Sequence, residues 1–312
     1  MIEARQVTKC FGGRPAIEDV SLRVARGEVV GLLGPNGAGK STTFRILAGI
    51  FPPDAGHALV DGLDLDRDPI SARRRVGYVP EGPALHADRT VEDELGFLAT
   101  LRDVTARDRR GTIDESIARA RLDDVRHRRI GALSRGMRQR VSLAAGLVGD
   151  PPALLLDEPT VGLDPAQSAD TRRLIRELGR DRAVLVSSHV LADVETLCDR
   201  VIILHRGRML AEGNTAALAA RLRLTNHVDV EAAAPSDRLA ALLRHVPGVQ
   251  TVEPRPGHPD GCRLEVADRE AHAAVATALA NAGVGLYALV PVEPSLEDAF
   301  LSLVGNARDQ QS

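Results

Sequence analysis

The sequence predicts an α/β fold followed by a smaller α+β domain. A glycine-rich loop stands between a strand pattern and a helix pattern, and a second apolar strand ends in two adjacent acids. After Gly213 the pattern changes to strands and short helices in the order βαββαβ. With 312 residues and 44% hydrophobic content, the chain is long enough to build two cores.

The glycine-rich loop has the form G-x-x-x-x-G-K-[ST], which is typical of phosphate-binding loops. Residues 28–33 predict a strand before it, and residues 43–49 predict a helix after it. Its three glycines allow positive φ and leave no Cβ in the way, so that backbone N–H groups can point at the phosphates. We expect Lys40 on the β and γ phosphate oxygens and the Ser41 hydroxyl on Mg²⁺. The loop consists of Gly34, Pro35, Asn36, Gly37, Ala38, Gly39, Lys40, Ser41 and Thr42. The sequence therefore predicts a nucleoside triphosphate site here.

Two acids follow a fully apolar strand pattern that begins at Ala153. Such a strand is typical of a buried parallel sheet, in which ligands bind at the carboxyl ends of the strands. We expect Asp157 to hold Mg²⁺ through water. Since side chains alternate along a strand, we expect Glu158 to point to the other face and to act as general base toward an attacking water.

Composition excludes several other classes of protein. Three scattered cysteines and no metal-ligand spacing indicate neither a disulfide framework nor a zinc site, and favour a reducing cytoplasm. A net charge of −3 without tryptophan disfavours a nucleic-acid partner. The aliphatic runs fall far short of the roughly 20 residues that a membrane span needs. Residues 126–129 and 135–140 form a basic stretch, which is either a solvated or acid-paired helix face or a docking surface for a partner or phosphate.

Residues 133–144 predict a helix with Ser134 as its N-cap. With these motifs the chain resembles the ATP-binding cassette (ABC) transporter ATPases over residues 2 to 220. The resemblance implies a P-loop NTPase cassette with a RecA-like core and a helical subdomain. The family signature Leu-Ser-Gly-Gly-Gln is changed at Arg135 and Met137, in a way similar to the type-2 exporter branch of multidrug, antibiotic and gliding-motility-like export ATPases.

The resemblance also assigns roles to residues outside the two first motifs. It implies that Ser134, Arg135 and Gly136 contact the ATP of a second subunit, and that Asp164 lies in a loop crossing the dimer interface. Phe11 would stack on adenine, or else belong to the core. Glu81 stands where the family has a glutamine that senses Mg²⁺, and His189 resembles the histidine that touches the γ-phosphate. For Arg135 two alternatives remain, a charge acting on the partner's ATP and a solvent-exposed side chain.

Domain boundaries follow from changes in the hydrophobic pattern along the sequence. Residues 1–220 are expected to form the cassette, with a helical subdomain at about 88–150, and residues 226–312 a ferredoxin-like accessory domain. The tail predicts a helix with an apolar face of Leu296, Phe300 and Leu303.

The resulting hypothesis is an ATPase that uses ATP and Mg²⁺ and powers an ABC exporter. It implies a separate membrane permease, a second copy of the chain or a paralogue, and a cytoplasmic location at the inner face of the membrane. The alternatives are a soluble ABC-fold ATPase that acts on DNA, ribosomes or cofactor assembly, and a binding module without turnover.

Overall fold

A computed structural model describes residues 1–82, 84–214, 218, 226–255, 257–268 and 270–292. The chain divides into two compact units, Met1–Asn214 and Thr215–Ser312. The predicted tail helix with Leu296, Phe300 and Leu303 lies outside the described residues. In the part of the chain that the structure covers, no helix is both long and apolar enough for a membrane span.

The first unit contains ten strands and seven α-helices within its described residues. The strands are β1 Ile2–Phe11, β2 Arg14–Val24, β3 Glu28–Leu33, β4 Ala55–Val60, β5 Leu63–Asp64, β6 Val76–Val79, β7 Ala153–Asp157, β8 Ala183–Ser188, β9 Arg200–His205 and β10 Arg208–Gly213. The helices are α1 Lys40–Leu47, α2 Pro69–Arg74, α3 Val91–Leu101, α4 Arg109–Arg119, α5 Arg135–Leu147, α6 Pro165–Gly179 and α7 Leu191–Leu197.

A six-stranded sheet in the order β10-β9-β3-β8-β7-β6 forms the centre of this unit. All neighbouring strands from β9 to β6 pair in parallel, and only β10 runs antiparallel to its neighbour. The two apolar strands of the sequence, β3 and β7, both pair with β8. Every residue of β7 is buried, as its unbroken apolar run predicts. The parallel pairing places the carboxyl ends of β3, β7 and β8 at one edge.

A second, antiparallel sheet in the order β2-β1-β4-β5 packs its apolar face into the same core as α1. The fully buried side chains of Ile2, Ile17 and Phe44 belong to this core. They hold the helix that follows the phosphate-binding loop between the two sheets.

Three helices, α3, α4 and α5, form a layer with its own apolar core. Val91, Leu95, Ile113, Ile117 and Val141 are buried in it. Leu101, the last residue of α3, is 64% exposed instead. Ser134 caps α5 as predicted, since its side chain accepts a hydrogen bond from the Met137 amide.

Within its described strands and helices from residue 226 to 292, the second unit has the element order βαββαβ. It comprises β11 Asn226–Ala232, α8 Ser236–Leu243, β12 Val249–Pro254, β13 Gly261–Val266, α9 Glu270–Asn281 and β14 Leu286–Val292. Its antiparallel sheet has the strand order β12-β13-β11-β14. The helices pack Leu239, Leu243, Val275 and Leu279 against one face. This arrangement is compatible with a ferredoxin-like fold, which stays a prediction.

Candidate functional site

A cavity of about 640 Å³ opens at the carboxyl edge of the parallel sheet. Predicted residues that line it are Pro35, Asn36, Gly37, Ala38, Gly39, Lys40, Ser41, Thr42, Glu81, Glu158 and His189. These residues come from four separate parts of the sequence, and the parallel register brings them together. The volume is in the range of a small-molecule site.

The phosphate-binding loop satisfies its glycine requirements in two different ways. Gly37 and Gly39 have the predicted positive φ, +81° and +106°, and Gly39 is the N-cap of α1. Gly34 does not have a positive φ. A Cβ at Gly34 would lie 2.4 Å from the carbonyl oxygen of Leu204 in β9. The first glycine is therefore required by close backbone approach, and the other two by conformation.

Lys40 and His189 both approach the carboxylate of Glu158. Nζ of Lys40 lies 3.9 Å from Oε1, and Nδ1 of His189 lies 2.9 Å from Oε2. Lys40 and Glu158 are buried, whereas His189 is half exposed. The Lys40 ammonium also donates to the Gly34 carbonyl at 2.6 Å. A cation, a carboxylate and an imidazole thus share one wall of the cavity.

The Ser187 hydroxyl connects the two acids at the end of β7. It donates to Oδ1 of Asp157 at 2.5 Å and accepts from the backbone N–H of Glu158 at 2.8 Å. Glu158 lies beyond the last strand residue and has a left-handed φ of +50°. The expectation that strand alternation directs Glu158 is therefore wrong. The chain turns immediately after Asp157, and the turn brings the Glu158 carboxylate to the cavity.

The residues assigned to Mg²⁺ fit this ion. Burial raises the pKa of the Asp157 carboxyl against the hydrogen bond from Ser187, and the charges of Glu158 and Glu81 raise it further. A cation beside Asp157 would offset this cost. Among the described residues no cluster of three or more His, Cys, Asp or Glu could hold a metal. Mg²⁺ needs none, because one or two carboxylates, phosphate oxygens and water complete its shell.

Gly34, Asp157 and the other predicted residues do not line the cavity itself. Phe11 is 46% exposed, so it is not a core residue, and its ring meets Phe51 edge to face at 5.6 Å. Asp164 caps α6, accepting from the Gln167 amide. Ser134, Arg135 and Gly136 form the start of α5, and Nη2 of Arg135 donates to the Val161 carbonyl at 3.0 Å. The adenine contact and the contacts to a second subunit stay predictions.

Three residues that line the cavity are missing from the predicted set, namely Pro15, Ala16 and Arg206. Arg206 and Gly207 form a two-residue turn with φ of +48° and +80° between β9 and β10. The Gly207 amide donates to the Ala38 carbonyl at 2.9 Å, which fastens this turn to the phosphate-binding loop. An X-Gly pair after an apolar run is a hairpin signal, so the turn could have been found from sequence, but its position beside the loop could not.

Comparison with known families and proteins agrees with this geometry. Residues 17–161 match the family described as ABC transporter. The chain is 35% identical to the Nod factor export ATP-binding protein I of Rhizobium sp. (strain N33), over 99% of this chain and 98% of that protein. It is 29% identical to the linearmycin resistance ATP-binding protein LnrL of Bacillus subtilis (strain 168), over 98% of both chains.

Solved structures of cassettes superimpose on the chain. CbiO1 from Clostridium perfringens, part of the ABC transporter complex cbiONQ, gives a TM-score of 0.64 at 28% identity, covering 71% of this chain and 92% of that one. The dimeric cassette MJ0796, in a post-hydrolysis state bound to ADP and Pi, gives 0.60 at 26% identity, covering 69% and 98%. The predicted cassette fold is thus confirmed, and the chain belongs to the family of ABC transporter ATP-binding proteins, in the branch of export ATPases.

Proposed function

We propose that the protein binds Mg-ATP in this cavity and hydrolyses it to power export through a separate permease chain. The observation that supports this most strongly is the meeting of Lys40 and His189 on the two carboxylate oxygens of Glu158, at 3.9 and 2.9 Å. The Lys40 ammonium, which suits phosphates, the Glu158 carboxylate as candidate base and the His189 imidazole therefore face the same cavity. The export function is favoured over DNA, ribosome or cofactor-assembly work because the similar proteins are export and resistance ATPases by name.

The residues have separate tasks in hydrolysis. Glu158 takes a proton from the attacking water, whose oxygen forms a bond to the γ-phosphorus. The bond between that phosphorus and the β–γ bridging oxygen breaks, and ADP leaves. Lys40 turns from the Gly34 carbonyl to the β and γ oxygens and stabilises their charge. His189 holds the Glu158 carboxylate in place and donates to the γ-phosphate.

Ser41 and Asp157 would hold Mg²⁺, with Glu81 accepting from a metal-bound water. The ion, when bound, neutralises part of the charge on the β and γ phosphates. Asp157 is fixed for this task by the Ser187 hydroxyl, which is buried with it. Glu81 accepts hydrogen bonds but does not donate when ionised, so it performs only the acceptor half of the role that a glutamine has.

A second copy of the chain, or a paralogue, would complete each nucleotide site. Ser134, Arg135 and Gly136 begin α5 and do not line the cavity of their own chain. A helix N-terminus presents unpaired N–H groups to an anion, so the start of α5 can bind the γ-phosphate of an ATP held by another copy. The dimeric state of MJ0796 supports the same arrangement here.

The permease would dock in a groove of about 380 Å³ between α2, α3 and β6. Three aliphatic side chains in it are strongly exposed, Ile50 at 52%, Ile70 at 67% and Leu101 at 64%. Arginines 73, 74 and 102 border them. Tyr78 lines the groove and Glu81, three residues later, lines the nucleotide cavity. Binding in the groove can therefore be transmitted to the site, and it would hold the protein at the inner face of the membrane.

The test combines ATP turnover with recovery on membranes that carry the permease, which we expect as a neighbouring reading frame with about six apolar spans. Lys40→Ala should lower ATP binding and turnover together, the latter by about 100-fold. Ile70→Glu should keep the turnover of the isolated protein and lose membrane recovery. Met209→Glu, at an exposed apolar residue of β10 outside the groove, is the control. Turnover that survives Lys40→Ala, or equal recovery losses for both glutamates, would contradict the proposal.

A further inference from the structure

Arg135 contacts the loop that follows Glu158 in the same chain. Its Nη2 donates to the Val161 carbonyl at 3.0 Å, and its guanidinium lies against Gly162. A Cβ at Gly162 would be 2.1 Å from Nη2 and 2.2 Å from Cζ of Arg135. Gly162 also has a φ of +70°, which favours glycine, and the guanidinium would have to move to make room for a Cβ there.

Val161 is joined to Glu158 through the backbone. The Val161 amide donates to the Glu158 carbonyl at 3.2 Å, and the Glu158 amide donates to Ser187 at 2.8 Å. Thr160 is held from another side, because its hydroxyl donates to Asp193 at 2.6 Å. The Glu158–Gly162 turn, residues 158–162, is therefore fixed by β8 at its start and by Arg135 of α5 at its end.

The start of α5 has a second contact with this part of the chain. Gly136 is buried, and a Cβ on it would lie 2.6 Å from Oε1 of Gln167 in the first turn of α6. Arg135 thus contacts the end of the Glu158–Gly162 turn, and Gly136 lies against the start of α6. If the start of α5 moves, it has to displace the turn, the contact with Gln167, or both.

We infer that Arg135 is a positioning residue that couples the start of α5 to the Glu158–Gly162 turn. The inference rests on the proposed function, in which the start of α5 binds the γ-phosphate of ATP in one site while Glu158 of the same chain serves the other site. Arg135 then transmits occupancy of the first site to the base of the second. This role differs from both alternatives that the sequence leaves open for Arg135, namely a charge that acts directly on the partner's ATP and a solvent-exposed side chain without a contact. A glycine at residue 135 has no side chain to make this connection.

The first test is amide hydrogen exchange of residues 158–164 in the full-length protein without nucleotide. Arg135→Gly removes the bond to Val161, so exchange in this segment should become about 10-fold faster, and Arg135→Lys should restore part of the protection. Arg140→Ala is the matched control, because Arg140 lies on the same helix and pairs with Asp170 of α6 at 3.3 Å instead. Exchange that is the same in wild type and Arg135→Gly would overturn the inference.

The second test is the dependence of turnover on ATP concentration. Arg135→Gly should lower kcat by about 10-fold, within the range of coupling between sites, and reduce the Hill coefficient toward one with KM changed less than about 3-fold. Arg135→Lys should restore part of kcat and of the Hill coefficient, because its ammonium can still donate to the Val161 carbonyl. Unchanged cooperativity in Arg135→Gly would overturn the coupling.

The two tests separate this inference from the proposed function. A wild-type protein that never hydrolyses ATP would contradict the proposed function and the coupling with it. Exchange in residues 158–164 would even then decide whether Arg135 holds the turn. Full activity together with unchanged exchange in Arg135→Gly would overturn the inference alone.

Discussion

Asp157 in the first unit and Asp229 in the second are both buried aspartates, with 4% and 7% exposure, but their partners differ. Asp157 receives a hydroxyl hydrogen bond, and burial raises its pKa. Asp229 accepts two hydrogen bonds from Arg263, at 2.8 and 3.1 Å, and forms an ion pair with Arg255 at 3.2 Å. The hydrogen bonds from Arg263 lower the pKa of Asp229. The pKa values of the two carboxyls are therefore shifted in opposite directions: the burial cost of Asp157 is one that a bound cation would offset, whereas two arginines of its own unit already pair with Asp229.

The largest expected effect is that of Asp157→Asn on ATP turnover. The amide cannot hold Mg²⁺ as the carboxylate does, so turnover should fall by about 100-fold or more. The same change removes a charge whose burial is unfavourable, so the unfolding midpoint of the protein should stay the same or rise near neutral pH. Steady-state ATPase assays and denaturant titrations measure the two effects. If Asp157→Asn clearly lowered the stability and kept full turnover, Asp157 would have the structural role that we assign to Asp229.

Asp229→Asn is the reciprocal change in the second unit. It should leave ATP turnover within about 2-fold and lower the free energy of unfolding by about 1–3 kcal/mol, because two arginines lose their acceptor. The loss is limited because Arg263 is 46% exposed and water can solvate it. Denaturant unfolding followed by circular dichroism provides the measurement. Unchanged stability would mean that the ion cluster does not support this unit.

The contribution of Asp229 should depend on pH with a defined sign. Because its folded-state pKa is depressed, its stabilising effect is complete above the unfolded value of about 4 and is lost as the pH falls through the lower folded value. The difference in unfolding free energy between wild type and Asp229→Asn should therefore shrink below about pH 4. Unfolding curves at a series of pH values test this. A difference that grows in acid would contradict the assignment.

A smaller effect is expected from Arg206→Ala. Arg206 lines the nucleotide cavity at the turn between β9 and β10, so its loss should raise KM for ATP by about 3- to 10-fold with little change in kcat. Arg208→Ala is the control, since Arg208 pairs with Glu18 at 2.7 Å and does not line the cavity. Equal KM values for the two variants would exclude a role for Arg206.

Local patterns predict most of the fold. The phosphate-binding loop, the apolar strand before Asp157 and the N-cap at Ser134 each lie within a few residues of the features that define them. The sequence also predicts the element order of the second unit, because strand and helix periods differ.

Contacts between distant segments could not be predicted in the same way. The left-handed backbone conformation of Glu158 is held by a hydrogen bond to Ser187, 29 residues away. The hydrogen bond from Arg135 to the Val161 carbonyl spans 26 residues. The close approach of Gly34 to Leu204 likewise needs the sheet order. Such contacts carry no periodicity or spacing rule, so only the three-dimensional arrangement reveals them.

The most direct test of the central claim is to measure ATP affinity and turnover side by side in Glu158→Gln. The claim is that Glu158 is the general base of a site whose ATP binding depends on other residues. Mg-ATP affinity should stay within about 3-fold of wild type, while turnover falls by about 100-fold or more. Loss of affinity equal to the loss of turnover, or turnover close to wild type, would contradict the account.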